Sequence, residues 1–259
     1  MTEPGAGSDA SGLKTKAVKD GDSYIINGSK CFISNMGPDE GDFAVVITVT
    51  DPEKRTRGGM TAFLVDRATP GFSLGKTEDK MGIRGAAVSE LVFEDCRVPA
   101  SAVMGEVGDG YRIAMSGLDG GRIGMAGLSV GIAQRALEEA VKYSKARVQF
   151  KKPICENQGL RWYLADMATR LEAARLLTMQ AAVARQNGAP GLTKLCSMAK
   201  YYASEMATYV CDLALQIHGG YGYMKDYAVE RLYRDARILR IFEGTSEIQK
   251  VVISREVLK

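Results

Sequence analysis

The sequence predicts an α+β protein: a small antiparallel β-barrel or sandwich over residues 1–108, followed by an all-α helical bundle over residues 109–259. Three observations carry this expectation. Short β-branched runs separated by Gly and Pro fill the first hundred residues. Beyond them, apolar residues step by three and four, the helical spacing. The breaker Asn187-Gly188-Ala189-Pro190-Gly191 then cuts the second part into long segments. Strands first and helices after is the segregated order of an α+β chain rather than an alternating α/β one.

In chain order, Tyr24 to Ile33 reads as two short strands around an Asn27-Gly28 turn. Phe43 to Thr50 is a β-branched run, and Thr61 to Val65 and Leu91 to Phe93 supply further strands. Gly58-Gly59, Thr69-Pro70-Gly71 and Gly82 punctuate them, and the β part ends near Val103. From Tyr111 the period changes, and about five helices are expected. Leu160, Leu164, Met167, Leu171 and Thr178 share one face. Leu195, Met198, Tyr202, Met206, Tyr209, Leu213 and Ile217 share another, and both stripes read as core.

The stretch with most chemistry is Tyr233 to Arg255. Ile238, Ile241 and Phe242 sit at helical spacing ahead of Glu243-Gly244-Thr245, and Ser246 with Gln249 has the spacing of a capping box. Gly244 is then the left-handed residue ending one helix, and a new helix begins at Ser246. That places Glu243 at a helix C-terminus beside apolar residues, where the dipole disfavours a carboxylate. Burial there raises a Glu pKa toward working pH, which makes Glu243 a candidate general base.

Composition narrows the alternatives. The 259 residues suit two modest domains, and 46% apolar with 25% charged residues is ordinary for a globular chain. A net charge of +3 argues for neither nucleic acid nor a membrane surface. The five cysteines are scattered without a Cys-x-x-Cys pair and His218 is the only histidine, so a metal site or a His-based relay is not expected. His218 reads as a packing residue. No apolar run approaches membrane-spanning length, and Met1 to Ala10 is unlike a signal peptide.

Several further motifs need a reason. Thr2-Glu3-Pro4-Gly5-Ala6-Gly7-Ser8-Asp9 combines glycines with hydroxyl donors, and Cys31-Phe32-Ile33-Ser34-Asn35 combines an aromatic with a hydroxyl. Six glycines fall between Gly117 and Gly131 in an otherwise helical stretch. Each costs roughly 1 kcal/mol against Ala, so close helix packing or backbone approach to a ligand must offset them. Arg147-Val148-Gln149-Phe150 carries an anion-binding fork, and Gln216-Ile217-His218-Gly219-Gly220-Tyr221-Gly222 is a second Gly-rich segment.

Together, and in this order, these motifs and the run Arg-Asp-Ala-Arg…Ile-Phe-Glu-Gly-Thr-Ser-Glu-Ile-Gln resemble the acyl-CoA dehydrogenase family of flavoenzymes over essentially the whole chain. The resemblance implies FAD as cofactor and α,β-dehydrogenation of an acyl-CoA, of short to medium chain length, with Glu243 taking the α-proton. It assigns Thr2, Phe32, Ser34, Arg147, Phe150, Gln216, Gly220, Thr245 and Glu247 to FAD. Ser8, Asp119, Arg122, Gly244 and Arg255 fall to the substrate and its CoA moiety. Phe32 and Ser34 stand where relatives usually have Trp and Thr, and Glu247 where they commonly have Gln. Electrons are expected to pass to an electron-transferring flavoprotein, as part of fatty acid β-oxidation.

The family usually carries a helical domain ahead of the Thr-Glu-Pro motif, which here begins at residue 2. The expectation is therefore a homo-oligomer, dimer or tetramer, or a complex with a chain that supplies that domain. The expected location is cytoplasmic, or the mitochondrial matrix if eukaryotic. The alternatives are a non-catalytic FAD- and CoA-binding module, one subunit of a split heteromer, or an acyl-CoA oxidase.

Overall fold

Alternating apolar and polar residues build one seven-stranded sheet in the first of two units, Met1–Gly117, of the computed structural model, which describes residues 1–259. The strands are β1 (Lys16–Asp20), β2 (Ser23–Ser34), β3 (Phe43–Val49), β4 (Met60–Asp66), β5 (Phe72–Thr77), β6 (Val88–Pro99) and β7 (Val103–Met104), in the spatial order β5-β6-β2-β1-β3-β4-β7. β3 and β4 bury side chains on both faces. Val46, Phe63 and Val65 join Tyr24, Ile26 and Phe93 in one cluster, while Ile47, Met60 and Ala62 join Ala6 and Leu13 in the other.

The sheet corrects three expectations. It is not wholly antiparallel, because Lys16 of β1 pairs in parallel with Val49 of β3. β2 runs back along one side of β1, so a chain that returns on the other side of β1 must run parallel to it. Second, Asn27-Gly28 is not a turn but lies inside the continuous strand β2, at a register shift against β6 between Ile26 and Gly28. Gly28 has φ 143°, and a Cβ there would stand 2.6 Å from the Thr15 hydroxyl oxygen. Packing against Thr15 demands the glycine. The Asn27 amide meanwhile exchanges hydrogen bonds with Asp95 at 3.0 and 2.8 Å. Third, β1 and β5 were not anticipated. β1 has only Ala17 buried and so lacks apolar alternation, while β5 is a short edge strand in which only Phe72 and Leu74 turn toward the core.

The Gly-rich N-terminal segment is tied down. Cys31 donates its N–H to the Thr2 carbonyl at 2.9 Å. Buried Glu3 accepts from Lys30 Nζ at 2.6 Å and from the N–H groups of Lys14 and Thr15 at 2.7 and 3.1 Å.

The second unit, Leu118–Lys259, contains most of α1 (Gly110–Ala146), followed by the two-stranded ribbon β8 (Val148–Gln149) and β9 (Lys152–Pro153). Then come α2 (Gln158–Gln186), α3 (Leu192–His218), α4 (Ala228–Arg237) and α5 (Ser246–Val257). α3 is central, packing against α2, α4 and α5. Its core face is made of small residues, Cys196, Ala199, Ala203, Ala207, Cys211 and Ala214, with Met206, Val210 and Ile217. Of the expected stripe, Met206 and Ile217 are buried and Leu195, Tyr209 and Leu213 pack against the core, whereas Met198 and Tyr202 are exposed. A helix with neighbours on several sides takes small side chains where axes approach closely, and its bulkier residues move to the flanks. In α2, Met167 and Leu171 are buried as expected, together with Ala174 and Ala181. No helix is long and apolar enough to cross a membrane.

Candidate active site

Glu243 stands in a turn, not at an α-helix end. α4 stops at Arg237, a single 3-10 turn covers Ile238–Arg240, and Glu243 and Gly244 follow with φ of 54° and 90°. The expected dipole penalty is therefore absent. A left-handed Glu is itself unfavourable, of order 1–3 kcal/mol for such positions. The next helix begins at Ser246 as expected, but its cap is Thr245, whose Oγ1 accepts from Ile248 N at 3.3 Å. Ser246 instead donates to Glu205 at 2.6 Å, and Arg240 donates to the same carboxylate oxygen at 2.8 Å.

Two buried side chains hold the turn from below. Gln249 Nε2 donates to the carbonyls of Glu243 and Gly244 at 3.0 and 2.9 Å. Lys200 of α3, fully buried, donates Nζ to the Gly244 carbonyl at 2.7 Å. Neither was foreseen as a site residue. The available signal for Lys200 was a lysine within the small-residue face of α3, between Cys196, Ala203 and Ser204. Gln249 has capping-box spacing with Ser246, yet its amide serves the preceding turn instead.

The Glu243 side chain lies against α1. A Cβ added at Gly121 would stand 2.6 Å from its Oε2, so the missing side chain makes the carboxylate's seat. A Cβ added at Gly120 would stand 2.6 Å from Nη1 at the end of the flexible Arg185 side chain. Gly117, Gly124, Gly127 and Gly131 have no such neighbour. Burial pushes the Glu243 carboxyl above its ordinary 4.5, with Arg122 and Lys200 working against that rise. Buried Arg122 donates to Asp119 at 2.8 Å, Thr193 donates to the other Asp119 oxygen at 2.7 Å, and Arg122 Nε has no partner. Burial lowers Lys200 to about 8. Glu243, Asp119, Arg122, Gly244 and Thr245 thus belong to one neighbourhood of the second unit, and Glu247 and Arg255 are exposed on α5.

A second feature of this unit is a cavity of about 600 Å³ lined by Arg147, Gly220, Tyr143, Tyr221, Ile217 and His218, among others. No carboxylate pairs with Arg147, whose guanidinium lies over the Tyr221 ring at 5.3 Å. His218 is a packing residue here as expected, stacked on Tyr143 at 4.2 Å with Nδ1 2.7 Å from the Ala214 carbonyl. Gln216 is exposed and outside the cavity lining. Phe150 sits with Lys151 in the two-residue loop joining β8 to β9, at φ 51° and 66°. Such a loop favours Asn-Gly, and Phe150 is 91% exposed upon it.

In the first unit, Phe32 is 65% exposed at φ 57°, within the register shift of β2 between Lys30 and Ile33. A bulge of this kind re-aims a side chain. Ser34 closes β2 opposite Val88, and Ser8 is exposed near the tethered Thr2.

Each unit by itself offers groups of the kind a flavin dinucleotide needs. An unpaired guanidinium beside aromatic rings suits a pyrophosphate, and a bulge-displayed aromatic suits a ring face. Residues 1–96 match the acyl-CoA dehydrogenase middle domain and residues 108–258 the acyl-CoA dehydrogenase C-terminal domain. The chain belongs to the acyl-CoA dehydrogenase family, whose members are FAD-dependent oxidoreductases.

Among its relatives, acryloyl-CoA reductase (NADH) of Anaerotignum propionicum is 54% identical over 100% of this chain and 65% of its own length. The caffeyl-CoA reductase-Etf complex subunit CarC of Acetobacterium woodii is 52% identical over 100% and 67%. The structure of butyryl-CoA dehydrogenase from Megasphaera elsdenii superposes with a TM-score of 0.96 at 49% identity, over 100% of this chain and 67% of that one. The chain thus spans about two thirds of the length of the relatives it matches.

Proposed function

We propose that this chain forms the FAD-binding and proton-transferring part of an acyl-CoA dehydrogenase acting on short- to medium-chain thioesters, with Glu243 as the base. The observation that carries this reading is the seat of Glu243, a left-handed, half-buried carboxylate over Gly121 with its pKa raised by burial. A strained carboxylate with a raised pKa is what α-proton abstraction needs near neutral pH. Gln249 and Lys200 fix the turn, so the carboxylate is oriented before substrate arrives. Asp119 and Arg122 bound the same neighbourhood and serve the substrate side with Ser8, Gly244 and Arg255.

FAD, when bound, supplies the two-electron acceptor chemistry. The chain's part is to hold it: Arg147 and Gly220 at the cavity, with Phe150, Gln216, Thr245 and Glu247, and Thr2, Phe32 and Ser34 in the first unit. An electron-transferring flavoprotein is the proposed electron partner, in keeping with the Etf complex named for the Acetobacterium relative. Homo-oligomerisation is part of the same proposal, which molar mass by light scattering tests.

A second reading has a specific observation behind it, because two relatives above 50% identity are named as an acryloyl-CoA reductase and a caffeyl-CoA reductase subunit. In that direction a protonated Glu243 gives the α-proton back, which a raised pKa equally serves. The test is single-turnover reaction of the flavin-loaded protein with butyryl-CoA, and of its reduced form with crotonyl-CoA, in wild type and Glu243→Gln. Loss of both reactions by a hundredfold or more is expected on removing a general base. A folded, flavin-loaded Glu243→Gln protein reacting at the wild-type rate would end the assignment.

A further inference from the structure

Lys200 is fully buried on α3, and no carboxylate stands within ion-pair distance of its ammonium. Its one hydrogen bond is to the Gly244 carbonyl at 2.7 Å. That carbonyl already accepts from Gln249 at 2.9 Å, so the fold does not need a lysine to satisfy it. A buried unpaired ammonium is unfavourable, and an apolar residue of similar volume is commonly neutral or stabilising in its place. The lysine is therefore doing something other than holding the core together.

We propose that Lys200 is a positioning residue for Glu243: its ammonium holds the Gly244 carbonyl, and through it the left-handed 243–244 turn, so that the carboxylate seats over Gly121 and ionises beside a buried cation. This rests on the reading of Glu243 as the base. The charges that act on Glu243 within its unit are Arg122 from α1 and Lys200 from α3. Arg122 is already shared with Asp119, whereas Lys200 has no acid of its own. Around Lys200 stand Arg122, Glu205 of α3 and Glu247 of α5, and Glu205 is bound by Arg240 and Ser246. Arg122 opposes the burial of Glu243 most, and Lys200 is the second cation that does so, the one with no acid of its own. With its own value at about 8, it is mostly charged at neutral pH.

The sign follows directly. Removing a neighbouring cation disfavours the carboxylate, so Glu243 must titrate higher without it. Two variants separate tether from charge: Lys200→Met removes both, and Lys200→Gln keeps a donor for the Gly244 carbonyl without charge. The readout is the titration of the Glu243 carboxyl carbon by NMR in 13C-glutamate-labelled, flavin-loaded protein, with Glu243→Gln identifying the resonance. Both variants are expected to raise the Glu243 midpoint by about one pH unit or more, the size of an opposite-charge effect at short range. Flavin reduction by butyryl-CoA at pH 7 should fall about tenfold or more, and recover in Lys200→Gln as the pH rises past the new midpoint.

An unchanged Glu243 midpoint in folded Lys200→Gln would overturn the proposal, whether or not Lys200→Met folds. The midpoint is read without turnover. If Glu243→Gln still reduces flavin, the base assignment fails while the titration continues to decide the role of Lys200.

Discussion

The carboxylate of Glu243 occupies the space that a side chain at position 121 would fill, with Oε2 2.6 Å and Cδ 3.0 Å from where a Cβ of residue 121 would stand. The contact joins the first third of α1 to a turn more than a hundred residues later. On the proposed role of Glu243, the unfavourable helical glycine is what gives the carboxylate its seat.

Gly121→Ala tests that relationship. The displaced atoms are the far end of a flexible side chain, so the fold should accept the methyl group. Alanine is also the better helix former by roughly 0.5–1 kcal/mol. Thermal stability is therefore expected to hold or rise, while flavin reduction falls on the order of a hundredfold, as for a displacement near 1 Å in a reacting group. A variant with wild-type turnover would show that the seat over Gly121 does not matter.

Arg147→Ala addresses the cofactor. The guanidinium has no acidic partner in the chain, so its loss strands no buried charge. A charge-assisted contact contributes about 1.5–3 kcal/mol, so FAD should be held about ten- to a hundredfold more weakly. Flavin that remains bound should be reduced at the normal rate, because the contact is the same in ground and transition states. Flavin fluorescence on dilution measures the first quantity and single-turnover absorbance the second.

How far this was legible in the sequence depends on what each residue answers to. Long helices broken at Asn187–Gly191 were readable because helical period and breaker residues are local signals. The β2 bulge was not, because Gly28 answers to Thr15, a contact made only once the sheet exists. Glu243 could be singled out from its neighbours Ile241 and Phe242, but its physical setting was misplaced. The helix ends at Arg237, and the cap is Thr245 rather than Ser246. Lys200 is marked locally only as a lysine on the small-residue face of α3, and its partner lies 44 residues away.

Glu3→Gln should be the most damaging change in the first unit. Burial works to raise the Glu3 carboxyl, and hydrogen bonds from Lys30, Thr15 and Lys14 outweigh it, leaving the pKa below its ordinary 4.5. A depressed carboxylate contributes stability that is present above its unfolded value and lost as pH falls through the folded one. The substitution leaves Lys30, 1% exposed, as an uncompensated buried cation, which typically costs about 3–5 kcal/mol. Urea unfolding at pH 7 should show a loss of that size. A midpoint within error of wild type would mean the pair contributes little.

The pH dependence of Glu243 runs the opposite way. Its folded pKa is raised by burial above 4.5, against the pull of Arg122 and Lys200. Between the unfolded and folded values the native state holds a proton that the unfolded chain has released. Stability from this group is therefore full below about 4.5 and declines as pH rises through the folded value. Glu243→Gln removes a buried charge at neutral pH, so its melting temperature at pH 7.5 should equal or exceed that of wild type. The catalytic limb follows the same titration: flavin reduction by butyryl-CoA needs the carboxylate and should rise with pH through the folded value. Reaction of the reduced flavoprotein with crotonyl-CoA needs the acid and should fall over the same interval. Both limbs should vanish in Glu243→Gln. Two limbs crossing at one midpoint above 4.5 would tie one group to both directions, whereas limbs at unrelated pH values would assign the proton donor to another residue.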